Sequence, residues 1–430
     1  MKFRYRNEEK MKDSGVEWIG KIPRDWKISR INKEFRVRNE KVSDKVFPAL
    51  SVTKQGILPQ LENVAKSDNS DNRKKVCEGD FVINSRADRK GSCGVSVYDG
   101  SVSLICNVLT PKHLNSQYVH SLFRNYYFSE EFYRWGSGIV DDLWSTNIER
   151  MKKINVPIPN ENEDIKIANF LDKKTAQFDT IILKKEALIK TLEEAKKSLI
   201  SEVVTGKVKV VKTSDGYELV ERKKEEMKDS GVEWLGDVPK EWVVKALKNT
   251  CSLVTGKAST GEFEIYIGLE NVEKWTGKLI EYGKATEVDS EKNSVFYNNN
   301  VLFGKLRPYL AKCIVSKETG ICSDEFLVME TKCLLPEVLK FTMLNPLFID
   351  LVNSLTYGVK MPRANWELVS DIKITYPNMY EQEIISNYLL CKFNEIDDLV
   401  MKIQKQIIGI KEAKQSLISE AVTGKIEILD

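Results

Sequence analysis

The sequence predicts an α+β protein made by tandem duplication, in which two mixed α/β domains alternate with two long coiled-coil-like helices. Three observations predict it. The stretch MKDSGVEW at Met11–Trp18 recurs letter for letter at Met227–Trp234, 216 residues on (227 − 11). AKKSLISEVVTGK at Ala195–Lys207 is matched by AKQSLISEAVTGK at Ala413–Lys425. Each of these second motifs also closes a long run with helical apolar spacing. The second offset is 218 residues (413 − 195), so identity at two nearly equal offsets over this length marks an internal repeat rather than chance.

The elements follow in order. The first residues, MKFRYRNEEKMKDSG, hold no apolar stretch of signal-peptide type, and no run approaches the roughly 18 apolar residues of a membrane helix, so a cytoplasmic protein without a membrane partner is expected. After MKDSGVEW the repeats stay loosely alike. IGKIPRDW (Ile19–Trp26) and LGDVPKEW (Leu235–Trp242) keep Gly, Pro and Trp in register. Between Lys27 and Asn155, and between Val243 and Lys373, no long identity survives. These unlike interiors read as mixed α/β with many short strands, among them DFVINS (Asp80–Ser85), GVSVYDG (Gly94–Gly100) and NVLFGKL (Asn300–Leu306). Each interior closes on a strand carrying proline, KINVPIP (Lys153–Pro159) and DIKITYP (Asp371–Pro377), where strand pairing is expected to stop.

From Asp164 to Thr205 there is neither Pro nor Gly, and Leu171, Phe178, Ile181, Leu188, Leu192, Ala195 and Leu199 recur as a coiled-coil-like seam. The run Glu381–Thr423 carries Leu389, Ile396, Leu399, Ile403, Ile410, Ala413 and Leu417, with Gly409 placed at an exposed position. Gly206 and Gly424 suit the left-handed residue that closes a helix. Roughly 40 residues give a rod of about 60 Å, which cannot bury its stripe alone, and its repeat is the nearest partner. The linker KVKVVKTSDGYELVERKKEE (Lys207–Glu226) contains a Ser-Asp-Gly turn. The predicted organisation is a first domain with its border segment (1–160), a first helix (161–207), a linker (208–226), a second domain (227–378) and a second helix (379–430).

Composition narrows the chemistry. Hydrophobic residues at 42% suffice for globular cores, and 66 Lys plus Arg against 63 acids leave a net charge of +3, which neither demands nor forbids a nucleic-acid partner. Eight cysteines (Cys77, Cys93, Cys106, Cys251, Cys313, Cys322, Cys333, Cys391) form no CxxC pair, and only His113 and His120 could add imidazole. Buried thiols in a reducing compartment are expected, without a disulfide framework or a metal site. No catalytic residue is assigned. An adenosyl-binding glycine loop and an Asn/Asp-Pro-Pro-aromatic loop are missing; NPLF (Asn345–Phe348) lacks the second proline and reads as an ordinary turn. TGKAST (Thr255–Thr260) lacks the upstream glycine of a phosphate-binding loop, and two histidines seven apart make no nucleophilic triad.

Basic residues gather in the interiors. SRADRKGS (Ser85–Ser92) places Arg86, Arg89 and Lys90 in a glycine-bounded loop that can reach phosphates or guanine edges, the alternative being a solvated hairpin turn. GKLRPYLAK (Gly304–Lys312) offers Lys305 and Arg307; Tyr309 and Leu310 are assigned to the core, and Arg307 either reads DNA or pairs with an acid. Before the closing strands, DDLWSTN (Asp141–Asn147) and YGVKMPRANW (Tyr357–Trp366) suit exposed loops that contribute Asn147, Lys360, Arg363 and Asn365.

The repeated KDSGVEWxGxxPxxW signature, with helices ending in SLISExVTGK, resembles the specificity subunit of type I restriction-modification systems, across essentially the whole chain. The resemblance implies two target-recognition domains, each reading one half of a split double-stranded DNA target, held apart by two antiparallel helices in a pseudo-two-fold arrangement. It implies docking of two methyltransferase subunits and, where present, restriction and translocase subunits. No cofactor is expected on this chain, S-adenosylmethionine being expected on the partner methyltransferase. Unlike interiors imply an asymmetric target, and helix length is expected to set the unread spacer. Base contacts vary between members of such a family, so the nine residues Arg86, Arg89, Lys90, Asn147, Lys305, Arg307, Lys360, Arg363 and Asn365 rest on position alone. Two other readings stay open, a self-contained DNA methyltransferase and a coiled-coil scaffold that binds only proteins.

Overall fold

The computed structural model describes residues 2–61, 71–139, 144–259, 261–287, 293–356 and 361–429. These divide into two units, the first formed by Met1–Lys185 with Gln404–Asp430 and the second by Glu186–Ile403. Two long helices, Glu163–Val204 and Met379–Val422, each contribute one part to each unit.

The repeated border folds identically in both, and most of its letters have a local task. Lys12 donates to the carbonyls of Arg24 and Trp26, and Lys228 to those of Lys240 and Trp242. The Asp13 and Asp229 carboxylates accept from the Gly15 and Gly231 amides, and both glycines sit at positive φ. The Pro-x-x-Trp ends meet the long helices. In the first unit Trp26 Nε1 donates to Glu163 over 2.7 Å and Arg6 pairs with the same carboxylate. In the second, Trp242 Nε1 and Arg222 meet Glu381 at 3.2 and 2.5 Å. A first-turn carboxylate also suits the positive end of a helix. The helix-closing glycines complete each joint: Gly424, at φ +70, packs on Pro23 and Trp26, and Gly206, at φ +72, on Pro239 and Trp242. A side chain there would sit within 2.5–2.6 Å of the proline ring.

Each interior leaves and rejoins the border through one antiparallel strand pair. Lys27–Arg30 pairs with Asn155–Ile158 in the first unit and Val243–Ala246 with Lys373–Tyr376 in the second. As expected, pairing ends at the closing prolines, Ile158 being followed by Pro159 and Tyr376 by Pro377, while Pro157 is accommodated inside its strand. Beyond these pairs the unlike sequences fold alike. The first unit has a four-stranded sheet in the order Cys93–Val95, Phe81–Asn84, Cys106–Pro111, Phe35–Val37. The second has Cys313–Val315, Val301–Gly304, Phe326–Thr331, Cys251–Leu253 in the same relation. Two short helices follow in each, Ser116–Phe123 and Tyr126–Arg134, then Pro336–Met343 and Pro346–Ser354. The second sheets differ: three strands are described in the first unit and five in the second, where Ile265–Ile267 adds a parallel pairing with Gly320–Cys322.

Apolar burial joins border, sheet and helix in each unit. Trp18, Trp26, Phe123, Phe128 and Phe132 pack with Phe170 and Leu171 of the first long helix and Val422 of the second. Trp242, Phe341 and Phe348 pack with Val203 of the first and Leu389 and Phe393 of the second. Burying such side chains contributes roughly 1.5–3 kcal/mol each. Within each unit the helices run antiparallel, with Asp179 on Lys414 and Lys185 on Gln406 in the first, and Lys196 on Asp397 in the second.

Three expectations are corrected. The seam is offset by one residue in the middle of the first helix: Ile181 and Leu188 are 44% and 47% exposed and Ala195 is exposed, while Ile182 and Lys196 turn inward. Leu399 of the second helix is likewise 47% exposed, with Ile407 buried. A straight helix drifts about 20° per heptad, so a strict seven-residue step walks off the buried face. Lys196 is held there by Asp397 at 2.6 Å and by the Phe393 ring at 4.3 Å; burial lowers its pKa and the carboxylate opposes that shift. The Ser-Asp-Gly turn expected in the linker is present and closes a β-hairpin, Val208–Thr213 against Gly216–Glu221. The second long helix ends at Val422, and Ile426–Leu429 then pairs with Lys2–Tyr5, the position the hairpin holds in the other repeat. Tyr309 is 46% exposed rather than in the core. Five cysteines are buried, Cys77 and Cys333 are half-buried, and Cys391 is exposed; all are free thiols.

Candidate nucleic-acid interface

In each unit three separate loops are drawn into one patch by backbone hydrogen bonds. In the first, the strand Phe81–Asn84 delivers Ser85 and Arg86 into a turn, and the Asn84 side chain accepts from the Arg86 amide at 3.1 Å. Ser85 N donates to Ile105 O, Thr146 N to Ser85 O and Ala87 N to Trp144 O, at 3.3, 2.9 and 2.9 Å. In the second, Lys305 N donates to Glu325 O, Ala364 N to Lys305 O and Arg307 N to Pro362 O, at 2.6, 2.9 and 2.8 Å. The three bonds correspond one for one. An isolated bridge, Arg86 with Ser145 in one unit and Leu306 with Arg363 in the other, closes each patch.

The side chains on this common frame are unlike. The first patch exposes Arg86, Arg89 and Lys90. Arg89 lies 3.5 Å from Asp88 and Lys90 2.5 Å from Glu130. Surface pairs of this kind contribute about 0–1 kcal/mol, so a phosphate can displace the acid at small cost. The second patch exposes Arg307, Tyr309 and Arg363 and half-buries Lys305. Arg307 and Ala311 take left-handed φ values of 52° and 47° around the single turn Pro308–Leu310. That backbone costs non-glycine residues about 1–2 kcal/mol each, and it rotates Tyr309 outward. Arg363 meets Glu325 through two nitrogens, Nε at 3.2 Å and Nη2.

Asn147 and Asn365 occupy equivalent places but are already engaged. Each is the N-cap of a four-residue helix, Asn147 accepting from the Arg150 amide at 3.0 Å and Asn365 from the Glu367 amide at 3.2 Å. The cap fixes how each amide is turned, but its oxygen keeps a second lone pair and its nitrogen its donors, so a base contact would have to be made in that orientation. Lys360 lies outside the described residues. The loops Ser103–Ile105 and Ser323–Glu325 escaped sequence reasoning, because Leu104 and Ile105 carry no charge and Asp324 and Glu325 carry the sign opposite to the one sought. Among the described residues no group of three or more His, Cys, Asp or Glu could hold a metal ion, and no helix is long and apolar enough to cross a membrane.

Residues 23–194 match the family model for the type I restriction modification DNA specificity domain. The chain is similar to the EcoDI specificity subunit of Escherichia coli, 22% identical over 64% of this chain and 62% of the relative, so the match spans under two thirds of that relative's length. It is also 20% identical to the MjaVIII specificity subunit of Methanocaldococcus jannaschii over 95% of this chain and 94% of that one. Among solved structures, a chain of a type I R-M system described for its assembly and conformational transition gives a TM-score of 0.69 at 12% identity, covering 94% of this chain and 99% of that one. The HsdS subunit of Thermoanaerobacter tengcongensis gives 0.50 at 12% identity, covering 94% and 98%. With its repeated border, two long helices and a matching domain over residues 23–194, the chain is similar to type I restriction-modification specificity subunits.

Proposed function

We propose that this chain reads an asymmetric, bipartite double-stranded DNA target for a type I restriction-modification complex, each unit reading one half. The supporting observation is the pair of three-loop patches, alike in backbone bonding and unlike in exposed side chains. A common frame with two chemistries is what two different half-sites require, and bonded loops hold readers in register. Arg86, Arg89, Lys90, Lys305, Arg307 and Arg363 supply the positive contacts in this reading, with Lys360 beside them in the sequence. Asn147 and Asn365 serve it by capping the helices next to the patches. Methyl transfer belongs to two partner methyltransferase subunits, which carry S-adenosylmethionine, and cleavage to a further subunit where one exists; this chain is not itself catalytic.

The test maps methylated bases across the genome of a host with and without this chain, beside DNA binding and methyl transfer by the purified chain alone. One bipartite sequence whose methylation needs both the chain and its partners is the expected result. Methyl transfer by the chain alone would establish a self-contained methyltransferase, and absence of DNA binding with and without partners would establish a protein-only scaffold. Because both long helices contribute to both units, deleting one heptad from each is expected to shorten the unread spacer; an unchanged spacer would reject that role for the helices.

A further inference from the structure

The third loop of each patch holds the sharpest chemical contrast between the units. Ser103–Ile105 and Ser323–Glu325 occupy the same place: Cys106 N donates to Ser103 O and Phe326 N to Ser323 O, at 3.0 and 3.1 Å, and each loop is tied by backbone to Ser85 or Lys305. In the first unit the loop presents Leu104 and Ile105, 38% and 39% exposed. In the second it presents Asp324 and Glu325, with Glu325 beneath the exposed Arg363. Among the described residues, the Arg363 contacts use Nε and Nη2, and neither involves Nη1. The end-on fork of the guanidinium therefore keeps donors for a guanine edge. Each Glu325 oxygen accepts from one nitrogen of Arg363 and keeps a lone pair.

We infer that Arg363 and Glu325 read one G·C base pair together in the half-site of the second unit, Arg363 on guanine O6 and N7 and Glu325 on the cytosine amino group. This rests on the DNA-reading role proposed above. In the major groove only G·C lines up two neighbouring acceptors followed by an exocyclic amino donor, whereas A·T sets its amino group between its acceptors; the G·C order is the complement of a guanidinium fork held beside a carboxylate. The carboxylate also fixes the arginine before DNA arrives, so less side-chain freedom is lost on binding. The apolar Leu104 and Ile105 of the first unit have no acceptor to offer at the equivalent place and suit a thymine methyl group instead.

The experiment uses the complete complex with its partner methyltransferase subunits and compares methylated targets for wild type, Glu325→Ile and Arg363→Lys. Glu325→Ile installs the side chain that the same frame carries at Ile105, and Arg363→Lys keeps the charge while removing the fork. Both are expected to relax the same single G·C position by roughly ten- to a hundredfold, leaving every other position and the whole opposite half-site unchanged. Unchanged targets, relaxation at two different positions, or uniform loss across all sequences would overturn the shared-pair reading. If Glu325→Ile melts early, Arg363→Lys decides alone, since its side chain is 63% exposed and folding does not depend on it. A wild-type complex with no bipartite target at all would instead overturn the DNA-reading role and this inference with it.

Discussion

At the turn after the second strand of each main sheet, the first unit carries Arg86, Ala87 and Arg89, where the second carries Leu306, Arg307 and Tyr309. The backbone bonds that tie this turn to its two neighbouring loops are the same in both, although the side chains share almost nothing. Backbone hydrogen bonds ask only for a conformation, which many sequences satisfy, whereas recognition asks for particular donors and acceptors at the surface. The border regions show the reverse, keeping MKDSGVEW and TGK because lysine clamps, first-turn carboxylates and glycines against proline rings admit few substitutes.

That contrast can be broken at several points. The largest effect is expected at the helix-closing glycines. Gly206→Ala and Gly424→Ala combine a left-handed φ with contact on a proline ring and should each cost about 3 kcal/mol, whereas Gly15→Ala, with open space around it, should cost about 1 kcal/mol. Urea denaturation checks this, and equal losses at all three would remove the claim that the joint is sterically exclusive.

The next contrast concerns position 120 and its counterpart. His120 accepts from the Val95 amide, and burial, aided by Arg124, lowers its pKa from 6.5 to about 4; the equivalent helix position in the second unit is Lys340. Between those two pH values the unfolded chain binds the extra proton, so stability rises with pH and is lost as pH falls below 6.5, by about 1.4 kcal/mol per unit down to pH 4. His120→Gln should flatten that part of the stability profile; an unchanged slope would assign the acid sensitivity elsewhere.

Smaller effects sharpen the division between frame and reader. Asn147→Ala and Asn365→Ala should each cost about 1 kcal/mol of stability through lost caps while leaving the methylated sequence the same. A changed target would make them readers after all. Arg89→Ala should be nearly silent for folding, weaken binding to every sequence a few-fold and reduce the salt slope by about one. A sequence-selective change would move Arg89 from the phosphates to a base edge.

Much of this architecture was legible in the sequence, for identifiable reasons. Exact repetition marked the borders, and the limits of the unlike interiors, Lys27 to Asn155 and Val243 to Lys373, coincide with the opening and closing strand pairs. The helix runs were readable because Pro and Gly were missing from the first and the apolar spacing recurred in both. Their inner face was less so, since Ile181 and Ile182 stand side by side and composition cannot say which turns inward. At the candidate site, basic charge located the first loop of each patch, and the place before the closing strand located the second. Asn147 and Asn365 were singled out as readers although an Asn ahead of a short helical turn equally suits a cap, and the Ser103–Ile105 loop had no charge to mark it. That these loops meet at all is fixed by bonds between distant segments, such as Ala364 to Lys305, which no local pattern records.

The paired opening and closing strands have a consequence for how such a molecule changes over time. Since Lys27 lies opposite Ile158 and Val243 opposite Tyr376, the two severed ends of an excised interior would lie side by side, one strand spacing apart. A foreign insert would then need only two adjacent ends of matching pitch to plug in, so new specificities could be acquired by recombination at these seams without rebuilding the scaffold.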